Sequence, residues 1–429
     1  MNDRVPRAWQ PLLTIALAAL MVGPFLRCGG KELRGGGRGG SPQATGSGGV
    51  TGSGGLGGSI DAPDSGGTMG SAGAAGSDGA AASGGVDGGS AYVVAMVQAA
   101  KAQAVDLTQA DIVELVTSAV TQAGGIDFIK DGQTVVLKPN IVTVYLNYAK
   151  TKTMEQTVNG VSTDWRVAKA VADLVRAKNP TGKILIMEGS TIPAATAFSL
   201  MGYTAANFGA SVDEFIGFEG ASCADRSTDS LEERTAPSGA RIWVNKRYVN
   251  ADVVISLPTL KTHFTAGITG GVKNLGIGTT PVGQYSAALD GGTSQDCTRG
   301  QTAAFIDHTS AETLGQFIHD NYSIRPADFV VMDGLQGLQN GPASIWAGTN
   351  YANDKMNMRL ILAGTNAVAV DTIEALVMQC DPTKVPHLTK LAADGFGTTD
   401  VSQITVAGKQ VREVSKPFAS ALTAICPGR

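Results

Sequence analysis

An α/β fold with a mainly parallel sheet and helices on both faces, in one body or two lobes, is what this sequence predicts. Three observations carry it: short, nearly unbroken apolar runs recur, they alternate with capped amphipathic stretches, and polar residues gather where the runs end. Continuous apolar runs are the pattern of strands buried on both faces, and alternation with helices makes such strands parallel neighbours. The 429 residues are 43% hydrophobic, ample for a full core.

The first elements along the chain are not part of that fold. Residues 1–28 read as a secretory signal, with Arg4 and Arg7 ahead of an apolar run from Leu12 to Phe25. That run is short for a membrane span. It ends at Cys28-Gly29-Gly30, which is similar to the lipidation site of bacterial lipoproteins, although Phe25 and Arg27 stand where such sites favour leucine and a small residue. Lipidation at Cys28 is the expectation, with ordinary cleavage or a retained anchor as the alternatives. Residues 29–91 are a disordered Gly/Ser-rich linker by composition, because Gly35 to Ser90 holds no aromatic residue and cannot offset the entropy of ordering. The expected location is the bacterial cell envelope, on a membrane-anchored lipoprotein facing the periplasm or the cell surface.

The α/β domain is placed at 92–429. Thr108 with Asp111 forms a capping-box start, Ile112, Val113, Val116, Ala119 and Val120 share a helical face, and Gly124-Gly125 ends the helix. Thr134 to Val142 is a buried strand opening into a loop at Pro139. A helix from Asp164 to Lys178 leads to a second strand, Lys183 to Met187. Ala251 to Leu257, Phe329 to Met332 and Leu360 to Ala363 are the third, fourth and fifth. Ligands of open α/β sheets sit beyond the carboxyl ends of the strands, so the residues to examine are Lys138 and Asn140, Glu188 and Ser190, Lys261 and His263, Asp333, and Asn366 with Asp371.

Charge is nearly balanced, 33 Lys plus Arg against 37 Asp plus Glu, which gives no basis for nucleic-acid binding and leaves a lipid anchor as the sole membrane contact. Cys223 and Cys297 lie in polar segments and are the expected disulfide, with two free cysteines as the alternative. No Cys-x-x-Cys pair exists, so no iron–sulfur cluster is expected; the metal is open and a divalent ion remains compatible. The sequence contains no Gly-x-Ser-x-Gly elbow, Walker loop or His-Glu-x-x-His.

The densest chemistry lies in Leu257 to Gly278, which joins Lys261, His263, Lys273 and Asn274 to Gly267, Gly270 and Gly271. Those glycines can present amide donors at a helix start, and with two lysines they predict an anion site. His308 reads equally as a helix-capping surface residue or a second site histidine, whereas His319 and His387 read as helix-surface positions.

Lys261-x-His263 followed by Thr269-Gly270-x-x-Lys273-Asn274 resembles the family catalogued as domain of unknown function 362. Lys138-Pro139-Asn140, Glu188-Gly189, Asp333-Gly334, Asn340-Gly341-Pro342 and Ala369-Val370-Asp371 extend the resemblance over Thr134 to Gly408. Asn366 stands where the family often has Asp, and the ferredoxin-like cysteine clusters of some members are missing. The same segment is similar to a stretch of the nickel-pincer lactate racemases, through His263, Ala266, Gly267, Thr269, Gly270, Gly271 and Lys273. That resemblance implies a histidine moving a proton at a substrate carbon and a lysine tethering a cofactor. The further nickel-binding histidine is absent after Lys273, so it implies shared site geometry more than a shared cofactor.

The resulting expectation is an exported enzyme acting on a small carboxylate or phosphate by acid–base chemistry of racemase or isomerase type. Lys261 and Lys273 hold the anion and His263 is the general acid/base, since imidazole titrates near neutral pH. Lys138, Asn140, Glu188, Asn274, His308, Asp333 and Asp371 are the further binding candidates, the two aspartates either orienting these groups, binding a divalent ion or capping their own elements. The alternative is a non-catalytic, envelope-tethered protein that binds an anionic ligand in the same pocket.

Overall fold

A computed structural model describes residues 92–146, 152–190, 192–218, 231–280, 306, 308–342 and 351–428. The expected signal, Cys28, the linker and the Cys223–Cys297 pair lie outside these residues. Among the described residues, no helix is long and apolar enough to cross a membrane.

The five apolar runs are strands of one mixed, mostly parallel sheet. Its order is β12 (Ile404–Gly408), β1 (Tyr92–Gln98), β11 (Lys355–Gly364), β10 (Phe329–Leu338), β7 (Val253–Leu257), β2 (Thr134–Pro139), β3 (Lys183–Glu188) and β4 (Glu214–Gly217). β8 (Thr259–His263) lies parallel to β10 and forms a hairpin with β9 (Gly267–Ile268). A separate ribbon pairs β5 (Leu231–Thr235) with β6 (Arg241–Asn245). The antiparallel pairs of the large sheet are those of β11 with β1 and β10, and the β8–β9 hairpin.

Both faces of the central strands are apolar because both are covered. In β2, Val135 and Leu137 join a core with α1 (Gln109–Gln122) and α2 (Trp165–Lys178), while Val136 joins a second core on the opposite face. The second core is closed by α6 (Gly270–Gly278), α7 (Ala311–Ile324), α9 (Ala367–Val377) and α10 (Pro386–Ala393). The capping box at α1 is present: Thr108 N–H donates to Asp111 Oδ2 at 2.6 Å and Asp111 N–H donates to Thr108 Oγ1 at 3.3 Å. Leu115 rather than Val113 completes its buried face, since 112, 115/116 and 119/120 follow the helical period and position 113 turns outward.

Several elements differ from the sequence expectation. β10 runs on to Leu338, so Asp333 and Gly334 lie inside the strand, and β11 is antiparallel. The segment Thr259–His263, which follows the expected third strand, is itself a strand with all five residues buried. His319 and His387 are buried, because α7 and α10 pack against each other and α7 also against α6. His319 is held between Asp320 at 3.0 Å and Asp394 at 2.8 Å.

The C-terminal tail straps the β8–β9 hairpin. Ala419 C=O accepts from Asn340 N–H at 2.8 Å and from Thr262 Oγ1 at 3.2 Å. Ile425 packs on Gly267, where an added Cβ would sit 3.1 Å from its Cδ1. A disulfide, Cys380–Cys426, fixes the tail to the end of α9 across 46 residues of sequence.

Closing a loop of that length predicts about 4 kcal/mol of chain-entropy stabilisation, an upper value because the unlinked chain keeps structure. The Cys380→Ser/Cys426→Ser protein should unfold at lower denaturant than the oxidised wild type, with a loss of about 2–4 kcal/mol. A change under 0.5 kcal/mol in equilibrium denaturation would show that the strap holds without its covalent link.

Candidate functional site

His263 ends β8, and the turn that follows fixes its ring. Its Nδ1 accepts N–H groups from Thr265 and Ala266, both at 3.1 Å, which puts the ring proton on Nε2. The ring stacks on Phe264 at 4.8 Å and lies 6.2 Å from the ring of the exposed His308. Burial, followed by the charge of Lys273 and then by His308, Lys261 and His387, holds its pKa well below the ordinary value. The expectation that His263 titrates near neutrality is therefore not met; it is a neutral Nε2–H donor.

The start of α6 is already occupied. Asp371 of α9 accepts Gly271 N–H at 2.6 Å and Val272 N–H at 2.8 Å. Gly270 is at φ +62, and a Cβ there would sit 2.3 Å from the Asp371 carboxyl carbon, so glycine is what lets the carboxylate approach. The amide donors expected to bind an external anion thus bind this chain's own, and Asp371 caps a helix other than its own. One helical turn on, Glu374 Oε1 accepts Lys261 N–H at 3.3 Å, while its Oε2 and Thr269 Oγ1 are buried without a hydrogen-bond partner among the described residues. Burial raises Asp371 to about 7, and burial with Asp371 raises Glu374 well above its usual range.

Three lysines converge here, and each ammonium has three N–H groups to place. Lys138 Nζ contacts Pro139 O at 2.7 Å, Glu188 Oε1 at 2.8 Å and Asn274 Oδ1 at 3.2 Å. Glu188 also accepts Ile141 N–H at 2.6 Å and Gly189 N–H at 2.8 Å. Burial pushes Lys138 down and Glu188 up, each opposed by the charge of the other. Lys261 Nζ contacts Val161 O and Thr259 Oγ1 at 2.7 Å and Asn140 Oδ1 at 2.9 Å, all uncharged. Burial, then Lys273, holds its pKa well below the usual value. Neither amine has an N–H to spare for a ligand. Lys273 differs: it is 9% exposed and its Nζ has no hydrogen-bond partner among the described residues. Burial and then Lys138 push it down to about 8.

The other candidates fall into place around these groups. Asn140 and Asn274 serve Lys261 and Lys138, and Asn274 Nδ2 donates to Lys138 O at 2.8 Å. Asp333 stands apart: it accepts Asp164 N–H at 2.8 Å and Leu335 N–H at 3.0 Å, and so anchors the loop before α2. Burial and Asp164 raise it to about 7. Among the described residues, no group of three or more His, Cys, Asp or Glu side chains is placed to hold a metal ion. Sequence reasoning missed Glu374 and His387. The spacing of Asp371 and Glu374, three apart on one helix, was the available signal for the first; nothing local marked the second.

A family model described as "Domain of unknown function (DUF362)" matches residues 135–375. A thylakoid-associated protein of Synechocystis sp. is 26% identical over 172 residues, 40% of this chain and 46% of that protein, so the chain spans about half the length of the curated relative. The solved structure of the lactate racemase apoprotein from Thermoanaerobacterium thermosaccharolyticum overlaps with a TM-score of 0.34 at 13% identity, over 59% of this chain and 52% of that one.

The raised carboxyls set a pH dependence. Asp333 and Asp371 have folded values of about 7 against an ordinary 3.8, so the folded state holds protons that the unfolded state releases. Their contribution is fully present below about 4 and is lost as pH rises through about 7, at up to about 1.4 kcal/mol per pH unit for each group. The wild-type slope also carries the opposite contributions of His263 and His387, whose lowered values make folding release protons in the same range, so the carboxyl contribution is read as a difference: between pH 4 and 7 the stability of Asp371→Asn should rise relative to wild type by up to about 1.4 kcal/mol per pH unit. Parallel wild-type and variant profiles in urea titrations across that range would contradict the raised value of Asp371.

Proposed function

This chain belongs to the family described as domain of unknown function (DUF362), and from that premise we propose an enzyme acting on a small anionic substrate, a carboxylate or phosphate, through Lys273 and His263. One observation supports it above others: a buried amine with no hydrogen-bond partner among the described residues has a charge that reaches a neutral imidazole whose Nδ1 is fixed by two backbone N–H groups. An unpaired buried ammonium costs several kcal/mol, and a stable fold keeps one where a ligand supplies the acceptor.

The reaction class that fits is proton transfer of racemase or isomerase type. The free amine of Lys273 takes a proton from the carbon beside a carboxylate, forming an N–H bond as the C–H electron pair moves toward the carboxylate oxygens. His263 Nε2–H donates to the oxygen where negative charge grows. Return of the proton to either face of the carbon completes the cycle with no change of oxidation state. Lys138 and Lys261 have their N–H groups engaged within the fold, and burial, then the charge of Lys138, brings Lys273 down to about 8. Asp371 and Glu374 hold the helix and the hairpin in register.

A second reading has an observation of its own. His263 is pinned as a donor and does not titrate near neutrality, which suits a binding protein in which Lys273 stays charged and holds an anion. The two readings part with pH. Solvent-deuterium exchange into the carbon-bound hydrogens of a carboxylate panel should rise with pH through about 8 if Lys273 is a base. Anion affinity with no exchange, falling as pH rises through the same value, identifies the binding protein. In either case Lys273→Ala should weaken anion binding by about 1.5–3 kcal/mol in calorimetry. Unchanged binding would remove Lys273 from both.

The envelope location also belongs to the proposal: export directed by residues 1–28, a lipid on Cys28 and a tether over 29–91. Cys28→Ala should release the protein from membranes, and an intact mass without acyl chains would count against anchoring.

A further inference from the structure

Thr269 stands at the start of α6, where its side chain lacks the role that this position ordinarily gives a threonine. A threonine just before the first helical residue accepts a hydrogen bond from the second or third amide of the helix. Here those amides are Gly271 N–H and Val272 N–H, and both donate to Asp371. Thr269 caps neither, and its Oγ1 is buried without a hydrogen-bond partner among the described residues. Its backbone is fixed all the same: Thr269 N–H donates to Lys261 O at 3.0 Å, and φ −94 with ψ −71 lies in the helical region, so the helical spacing reaches back to it.

Lys273 is four positions further on. Side chains four apart on a helix share one face with their Cβ atoms about 5–6 Å apart, and each leans toward the helix N-terminus. The Lys273 chain therefore runs back over the turn that Thr269 begins. The two residues are 1% and 9% exposed, and each ends in a polar group with no hydrogen-bond partner among the described residues. We propose that the Thr269 hydroxyl and the Lys273 ammonium together bind one oxyanion group of the ligand, Thr269 donating its O–H to one oxygen and Lys273 an N–H to another. The pairing rests on the reading of Lys273 as the ligand-facing amine and gives it a second contact, which fixes the orientation of the oxyanion.

Valine keeps the branched shape of threonine and removes the hydroxyl. Inorganic phosphate is the probe, titrated into the full chain by calorimetry at pH 7, below the value of about 8 to which burial and then Lys138 bring Lys273. Thr269→Val should weaken phosphate binding about tenfold or more, the scale of one hydrogen bond to a charged group, while Thr269→Ser stays within about threefold of wild type. Without phosphate, Thr269→Val should unfold at the wild-type temperature or above it, since it removes a buried hydroxyl that has no partner among the described residues. The rise in unfolding temperature that phosphate gives should shrink in this variant. Phosphate binding that Lys273→Ala weakens and Thr269→Val leaves unchanged overturns the role of Thr269 and spares Lys273. Destabilisation of Thr269→Val in the absence of phosphate shows that the hydroxyl serves the fold and overturns that role as well. Binding absent from the wild type, or unaffected by Lys273→Ala, overturns both.

Discussion

The carboxylate of Asp371 against the first amides of α6 is the contact on which the site depends. It sets the direction of that helix from outside, through a residue of α9, and it requires that position 270 have no side chain. With the helix so placed, Asn274 reaches Lys138 and ties α6 to β2, and through the Lys138–Glu188 pair to β3. Lys273, the neighbouring position, takes no part in that network's hydrogen bonds among the described residues. A cap that is itself a buried, half-protonated carboxyl near neutral pH is costly to keep. Its retention makes sense where it positions something more valuable than its own hydrogen bonds.

Three buried amines in one region would be prohibitive if all behaved alike. They do not, because the acceptors are distributed unevenly. Lys138 has a carboxylate, Lys261 has two oxygens from loop and strand and one from an amide, and Lys273 has none among the described residues. Burial, and then the charge of Lys138, lowers the proton affinity of Lys273, while burial, and then Lys273, lowers that of His263. A lysine whose N–H groups are all engaged thus adds to the effect of burial on one whose N–H groups are open among the described residues.

Much of the fold was legible because strands covered on both faces are written as unbroken apolar runs, as in Val135 to Leu137 and Val253 to Leu257. The strand Thr259–His263 was not legible. Its polar side chains are buried by one another and by residues more than a hundred positions away, such as Asn140 and Glu374, and no local pattern encodes that. The same holds for His387, whose burial comes from a glycine on another helix, and for the Cys380–Cys426 link between segments that carry no common local feature. Within the site, residue identities were legible and roles were not. Lys261 and Lys273 look equivalent as letters, and only the count of acceptors around each tells them apart.

The position of β1 has a consequence for how the chain acquires its structure. Residues 92–98 lie between β11 and β12, pairing with residues 360–364 on one side and 404–408 on the other. Roughly 260 residues must therefore be made before this strand finds its first neighbour, β11, and the hairpin bearing His263 gains its strap later still. Contacts of such long sequence separation form late, because the entropy of closing the intervening loop must be met before any pairing compensates it. During synthesis, residues 92–98 remain an unpaired apolar segment while the middle of the sheet can already assemble around β2, β3 and β7. A nascent chain that has been made only to residue 390 therefore has the three lysines and their acceptors, but neither β12 beside β1 nor the strap over the hairpin that bears His263.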